Sequence, residues 1–135
     1  LKENNVKLPY TLYVVNSVQE EVGLRGAEMV AQTIRPNVAI VTDVTHDTHT
    51  PMINMKKHGD VRAGSGPSVT YAPAVHNKLL DMIIGAAALI SLPLRYMHTT
   101  VEMAHKDDVN NLIRLIYELL QKIEKGPDFR YFNEL

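Results

Sequence analysis

The sequence contains no cysteine, which excludes disulfide bridges and thiolate ligands for a metal ion. A metal site would therefore have to use histidine, aspartate or glutamate side chains. The sequence supplies six histidines and 15 acidic residues for that purpose. The lack of cysteine also fits a cytoplasmic protein, which is the location we expect.

Charge of one sign is also lacking, because 14 basic residues nearly balance the 15 acidic ones and leave a formal net charge of −1. Such a chain has no strong electrostatic field at its surface. We therefore expect neither nucleic acid nor an anionic membrane as a partner.

Long hydrophobic runs are missing as well. Residues 1–7 are polar and do not resemble the apolar stretch of a signal peptide. The most apolar stretch is interrupted by Asp81 and Gly85 and is too short to span a bilayer. The sequence starts at Leu1 and not at a methionine, so we expect it to begin inside a larger protein.

The first half of the chain predicts an α/β fold. Residues 10–16 are rich in β-formers and predict a buried strand. Residues 24–34 have the spacing of an amphipathic helix, and residues 38–43 predict a second strand that is buried on both faces. A strand, a helix and a strand in this order predict a βαβ unit with parallel strands. The expected architecture is a mostly parallel sheet with flanking helices.

The rest of the chain alternates loops with further elements. Residues 44–66 are loop-like and lead into a tight turn at residues 64–67. The apolar pattern then predicts a short strand at 68–71, a helix at 74–83, a buried strand at 88–92 and an amphipathic helix at 106–124. The helix at 74–83 reaches the next strand with almost no turn residues between them, which is unusual.

An acidic cluster is predicted at one edge of the sheet. Glu20 and Glu21 follow the first predicted strand, and Asp43 ends the second. Parallel strands end at the same edge, where open α/β sheets bind ligands. His98 lies in the loop after a later core strand, and we expect it at the same edge. Taken singly, a pair of glutamates is usually a solvated turn, and a histidine in a loop usually has no special role.

His46 and His49 are also potential metal ligands. Aspartate and threonine residues surround them, however, and a hydrogen-bonded turn explains the segment equally well. We predict that neither histidine binds a metal.

Five motifs occur in an order that resembles one known family. They are VQEEVGLRGA at 18–27, DVTH at 43–46, TP at 50–51, GSGP at 64–67 and RYMHT at 95–99. Together they resemble the C-terminal part of the catalytic domain of the glutamyl-aminopeptidase family of dinuclear metallopeptidases. This family includes the tetrahedral, dodecameric aminopeptidases, and the resemblance covers nearly the whole chain.

The resemblance implies a fold, an activity and roles for four residues. The fold would be a zinc-peptidase-like sandwich, and the activity would be removal of N-terminal residues from peptides. Glu20 would be the general base, Glu21 and His98 would bind one metal, and Asp43 would bind the other. The cofactors would be two divalent ions, zinc or cobalt. The protein would be a homo-oligomer, from a dimer up to a dodecamer.

The sequence also departs from the family. An upstream histidine, a bridging aspartate and an inserted β-rich domain have no counterpart in residues 1–135. At the position of residues 83–84 of this chain, the family has a longer segment. We therefore expect a partial catalytic domain with a missing segment at the 83–84 junction. Two alternatives stay open: a carboxypeptidase or deacylase of the same fold, or a non-catalytic structural fragment.

Overall fold

The computed structural model describes residues 1–70 and 89–124, and these residues form four strands and three helices. In chain order they are α1 (Arg25–Ile34), β1 (Val41–His46), α2 (Met55–His58), β2 (Ser68–Val69), β3 (Leu89–Arg95), β4 (Met103–Ala104) and α3 (Lys106–Lys122). The predicted helix at 74–83, the 83–84 junction and the tail from residue 126 lie outside the described residues.

Strand β3 is the centre of the sheet. It pairs in parallel with β1 and antiparallel with both β2 and β4. The register with β1 sets Asp43 beside Ser91 and His46 beside Leu94. The predicted α/β class with flanking helices is confirmed. The sheet formed by the described residues is mixed, because antiparallel β2 and β4 accompany the parallel pair.

Residues 10–16 do not form the predicted strand. Residues 11–19 have no regular secondary structure, and Val14 is 91% exposed. A buried strand needs a neighbour that satisfies its backbone N–H and C=O groups, and no strand in the described part of the chain pairs with this segment. The predicted βαβ unit is therefore wrong, although β1 and β3 do form a parallel pair.

Strand β1 also differs from its prediction. It begins at Val41 and continues to His46, because its pairing with β3 extends as far as Leu94. Asp43 therefore lies inside the strand and not at its end. The predicted burial on both faces is wrong too, since Val41 and Val44 are 51% and 40% exposed. Among the described residues, β1 is an edge strand of the sheet.

The two longer helices occur where the sequence predicts them. Helix α1 ends at Ile34 as expected, although none of its side chains is fully buried. Helix α3 packs against β3 and contributes Leu119 and Leu120 to the buried core. The buried apolar side chains are Ile90, Leu119, Leu120 and Ile123. Among the described residues, no helix is long and apolar enough to cross a membrane.

The N-terminal segment is attached to the end of α3. Leu119 and Ile123 pack against the partly buried Tyr10, Val38 and Ile40. The Tyr10 hydroxyl also donates a hydrogen bond to the Leu120 carbonyl. These contacts fix the start of the chain, although the segment that follows it is exposed.

Candidate metal centre

The turn that precedes α1 carries Glu20 and Glu21. The backbone N–H groups of Gly23 and Leu24 both donate to the Glu20 carbonyl, at 3.1 and 3.0 Å. Gly23 has a φ of 107°, which a residue with a Cβ rarely adopts. The adjacent carboxylates therefore lie on a hydrogen-bonded turn whose shape requires this glycine.

The base of the same turn is closed by Gly26. Its N–H donates to the Val18 carbonyl at 3.0 Å. A Cβ added to Gly26 would lie 2.4 Å from the Val18 oxygen and 2.6 Å from the Val18 nitrogen. Only glycine permits this approach, so the GLRG sequence fixes the path of the chain on both sides of the two glutamates.

His98 lies on the loop between β3 and β4. The pairing of Arg95 with Met103 closes this loop at its base. Within it, the backbone N–H and the hydroxyl of Thr99 both donate to the Tyr96 carbonyl, at 3.1 and 2.6 Å. The structure therefore presents His98 on a short closed loop beyond the central strand, in the region that the sequence predicted.

The two segments meet through their side chains. His98 Nε2 lies 2.9 Å from Glu21 Oε1, although the two residues are far apart in the sequence. Both side chains are mostly exposed, at 67% and 73% of their surface. A carboxylate and an imidazole are donors that zinc and cobalt accept, so these two side chains are of the type that fits the divalent ion that the resemblance implies.

Asp43 does not take part in this contact. Its carboxylate accepts a hydrogen bond from the next backbone N–H, that of Val44, at 2.7 Å. Across the part of the chain that the structure describes, no group of three or more His, Asp or Glu side chains is close enough to hold a metal ion. The structure thus brings Glu21 and His98 together, while the roles of Glu20, Glu21, Asp43 and His98 stay predictions.

His49 takes part in a hydrogen-bonded network. Its Nε2 atom lies 2.7 Å from Asp60 Oδ1 and 3.1 Å from Arg62 Nη2. The hydrogen bond from His49 lowers the pKa of Asp60 below its usual value. His46 ends β1 and is partly buried beside Leu94. That neither histidine binds metal stays a prediction.

Two buried carboxylates were not anticipated as structural anchors. Asp108 is fully buried and accepts the N–H groups of Gly64 and Gly66, at 2.6 and 2.7 Å. In the sequence, a position in the first turn of a predicted helix indicates only a charge that favours the helix N-terminus. No sequence signal links Asp108 to a turn more than 40 residues away.

Asp47 is the second buried carboxylate and is 2% exposed. It accepts the N–H groups of His49 and Ala63, at 2.7 and 3.2 Å, and lies 3.9 Å from Arg95 Nε. These residues line a cavity of about 450 Å³. Asp47 thus connects the loop after β1 to the end of β3, just before the loop that carries His98.

The fold and the paired Glu21 and His98 define an α/β protein with a carboxylate–imidazole site at loops that flank a mixed sheet. The sequence matches the M42 glutamyl aminopeptidase family over residues 1–88 and 85–115. The chain therefore belongs to this family.

Individual relatives agree with this membership. A lysyl aminopeptidase from Pyrococcus furiosus is 33% identical over 150 aligned positions, which cover 87% of this chain and 42% of that protein. The crystal structure of a TET aminopeptidase from a marine sediment archaeon of the Thaumarchaeota is 27% identical, with a TM-score of 0.80 over 92% of this chain and 44% of that one. An aminopeptidase from Desulfurococcus kamchatkensis is 25% identical, with a TM-score of 0.67 over 84% of this chain and 44% of that one.

The chain spans less than half the length of these relatives.

Proposed function

We propose that the chain is the C-terminal part of the catalytic domain of a metal-dependent aminopeptidase, which removes N-terminal residues from peptides. The contact of His98 Nε2 with Glu21 Oε1 at 2.9 Å is the observation that supports this most directly. It joins two sequence motifs at the two side chains that the family resemblance assigns to one metal. Membership of the glutamyl aminopeptidase family supports the type of reaction.

The proposed chemistry divides the two adjacent glutamates between two tasks. Glu21 and His98 would hold one divalent ion, zinc or cobalt, and Asp43 would contribute to a second. The ions would supply polarisation of the scissile carbonyl and a more acidic water. Glu20, next to the ligand Glu21, would accept the proton of that water and return it to the leaving amine.

We also propose that residues 1–135 are a partial catalytic domain with a segment missing near residues 83–84. The family match falls in two pieces that overlap at residues 85–88, close to that junction. The alignment with the Pyrococcus furiosus enzyme has 150 positions, more than the 135 residues of this chain, so that relative has residues without a counterpart here. Sequencing the gene across the junction and upstream of Leu1 tests this proposal.

The proposed activity also implies the substrates and the oligomeric form of the protein. Peptides with a free N-terminus would be the substrates, and a cytoplasmic homo-oligomer would be the working form. The TET aminopeptidase among the structural neighbours supports the oligomer. Size-exclusion chromatography with light scattering on the natural full-length gene product tests it, and a monomer at micromolar concentration contradicts it.

Substitutions at the two glutamates test the proposed mechanism. In the full-length gene product, Glu20→Gln should keep its metal content and lose about 10²–10⁴-fold in kcat, because an amide cannot accept the proton. Glu21→Ala and His98→Ala should lose metal as well as activity. His49→Ala is the matched control and should keep both its metal content and its activity. Near-full activity of Glu20→Gln, or full metal content in both ligand variants, contradicts the assignment.

A non-catalytic role is the second candidate. The lack of a group of three ligands within the described residues favours it for the chain alone. Metal analysis of the purified full-length product, together with an assay on free-amine peptides, distinguishes the two roles, because a non-catalytic protein would show no metal-dependent turnover. If metal is present, comparing free-amine peptides with N-blocked ones separates an aminopeptidase from a carboxypeptidase or deacylase.

A further inference from the structure

The loop of residues 96–102 holds two residues in an unfavourable backbone conformation. Tyr96 has a φ of 56° and His98 a φ of 62°, both in the left-handed region. Residues with a Cβ rarely adopt this region, because the Cβ approaches the following carbonyl oxygen. Such a conformation persists only where neighbouring contacts hold it.

Separate contacts hold each of the two residues. Thr99 binds the carbonyl of Tyr96 through both its backbone N–H and its hydroxyl. The N–H of His98 is bound by Glu102, whose Oε1 lies 2.5 Å from the His98 nitrogen. A hydrogen bond to a carboxylate is stronger than one between neutral groups. Glu102 is therefore the side chain that restrains the backbone of His98 itself.

The position of the imidazole depends on this restraint. The His98 side chain is 67% exposed, so little packing fixes its direction. Its contact with Glu21 spans two separate loops, and a rotation of the His98 backbone would move the ring away from Glu21. A bond to the His98 N–H can prevent that rotation.

We propose that Glu102 is a positioning residue that holds His98 where its imidazole can bind a metal ion together with Glu21. The inference rests on the proposed function, since it gives His98 the role of a ligand. In this role Glu102 would act through His98 and would not itself be a ligand of the metal. Removal of a partner that orients a metal ligand commonly weakens metal binding by about 10–100-fold.

The experiment compares Glu102→Ala with Glu102→Gln in the ¹⁵N-labelled chain of residues 1–135. The amide of glutamine keeps an oxygen that can accept the His98 N–H, whereas alanine has no acceptor. The first measurement is the amide proton shift of His98 without metal. The second is the dissociation constant for Co²⁺, measured by titration. Glu118→Ala, which removes another partly exposed glutamate that binds Arg114, is the matched control.

We expect Glu102→Ala to move the His98 amide proton upfield and to weaken Co²⁺ binding by about 10–100-fold. Glu102→Gln should restore most of the His98 amide shift and most of the Co²⁺ affinity, and Glu118→Ala should change neither quantity. The proposal is overturned if Glu102→Ala leaves the His98 shift unchanged, or if Glu102→Gln weakens Co²⁺ binding as much as Glu102→Ala. The rescue by glutamine separates positioning from a general loss of stability.

His98→Ala distinguishes failure of this inference from failure of the proposed function. If His98→Ala binds Co²⁺ as well as the unaltered chain does, His98 is not a ligand and both proposals fail. If His98→Ala loses Co²⁺ while Glu102→Ala keeps it, only the positioning role fails. If the unaltered chain binds no Co²⁺, the same three substitutions are measured for zinc content in the full-length gene product, and the same criteria apply.

Discussion

Single residues decide the shape of the loops around the candidate site. Gly26 lets α1 approach the carbonyl of Val18, and Asp108 binds two backbone N–H groups of the Gly64–Gly66 turn. Neither residue is among those proposed to bind the metal. Both can therefore be tested by the stability of the chain, independently of any activity.

Gly26→Ala should destabilise the chain by about 1–3 kcal/mol, the usual cost of forcing an extra carbon into a filled space. The new Cβ would lie 2.4 Å from a backbone oxygen, which cannot move as easily as a side chain can. Urea unfolding measures the change. Ala27→Ser, on an exposed neighbour in the same helix, is the control and should stay within about 0.5 kcal/mol. Equal stability of the two variants would contradict the close packing of Gly26.

Asp108→Ala should cost about 2–4 kcal/mol, because it leaves the Gly64 and Gly66 N–H groups without their acceptor. Asp108→Asn retains one acceptor oxygen and should cost less. Chemical denaturation of both variants is compared with that of Asp107→Ala, whose side chain is 74% exposed and should matter little. If Asp107→Ala destabilises as much as Asp108→Ala, the cost arises from the charge at the start of α3 and not from the buried hydrogen bonds.

Among the elements, α3 has the widest role. Its C-terminal turns supply buried leucines and the acceptor for Tyr10, and its N-terminal turn holds the glycine turn through Asp108. The exposed segment 11–19 begins directly after the attachment at Tyr10. The helix thus anchors parts of the chain that the short sheet does not hold.

The attachment at Tyr10 predicts a dependence of stability on pH. Burial raises the pKa of Tyr10 above its usual value of 10.0. Because the unfolded chain ionises first as the pH rises, the contribution of Tyr10 is complete below pH 10 and is lost as the pH passes the raised pKa. The free energy of unfolding should therefore fall more steeply above pH 10 in the unaltered chain than in Tyr10→Phe. Parallel curves from urea unfolding between pH 8 and 11.5 would show that the phenol is not buried in the folded chain.

On the scale of the whole molecule, the ligands that the resemblance assigns to this chain are fewer than a dinuclear centre needs. By resemblance it supplies Glu21 and His98 for one ion and only Asp43 for the other. Catalytic zinc normally has three protein ligands. The chain also spans less than half the length of its relatives, so more than half of a relative's fold has no counterpart here.

Residues 1–135 alone should therefore show no appreciable aminopeptidase activity. The test is to saturate the purified chain with zinc or cobalt and to assay unblocked aminoacyl substrates. A bound metal ion does not contradict the prediction, because two ligands can still hold one ion weakly. Turnover that disappears in the Glu20→Gln variant would show that this inventory of ligands is incomplete.

Elements with a local pattern can be predicted from the sequence alone. The apolar spacing of residues 24–34 and 106–124 predicts α1 and α3 because each helix satisfies its own backbone and needs only one apolar stripe. The glycines at 64 and 66 predict the turn between them, because that signal is also local in the sequence. The motifs around Glu20 and His98 were likewise sufficient to indicate the family, which the comparison with known proteins confirms.

Tertiary structure alone decided which segments pair and which side chains meet. Residues 10–16 have the composition of a strand but lack a partner among the described residues, and a strand exists only with a neighbour that completes its hydrogen bonds. Because β1 pairs with β3 as far as His46, the strand ends there and not at the predicted Asp43. The contacts of Glu21 with His98 and of Asp108 with the glycine turn join residues distant in the sequence. No local pattern encodes such contacts, because they depend on how the whole chain packs.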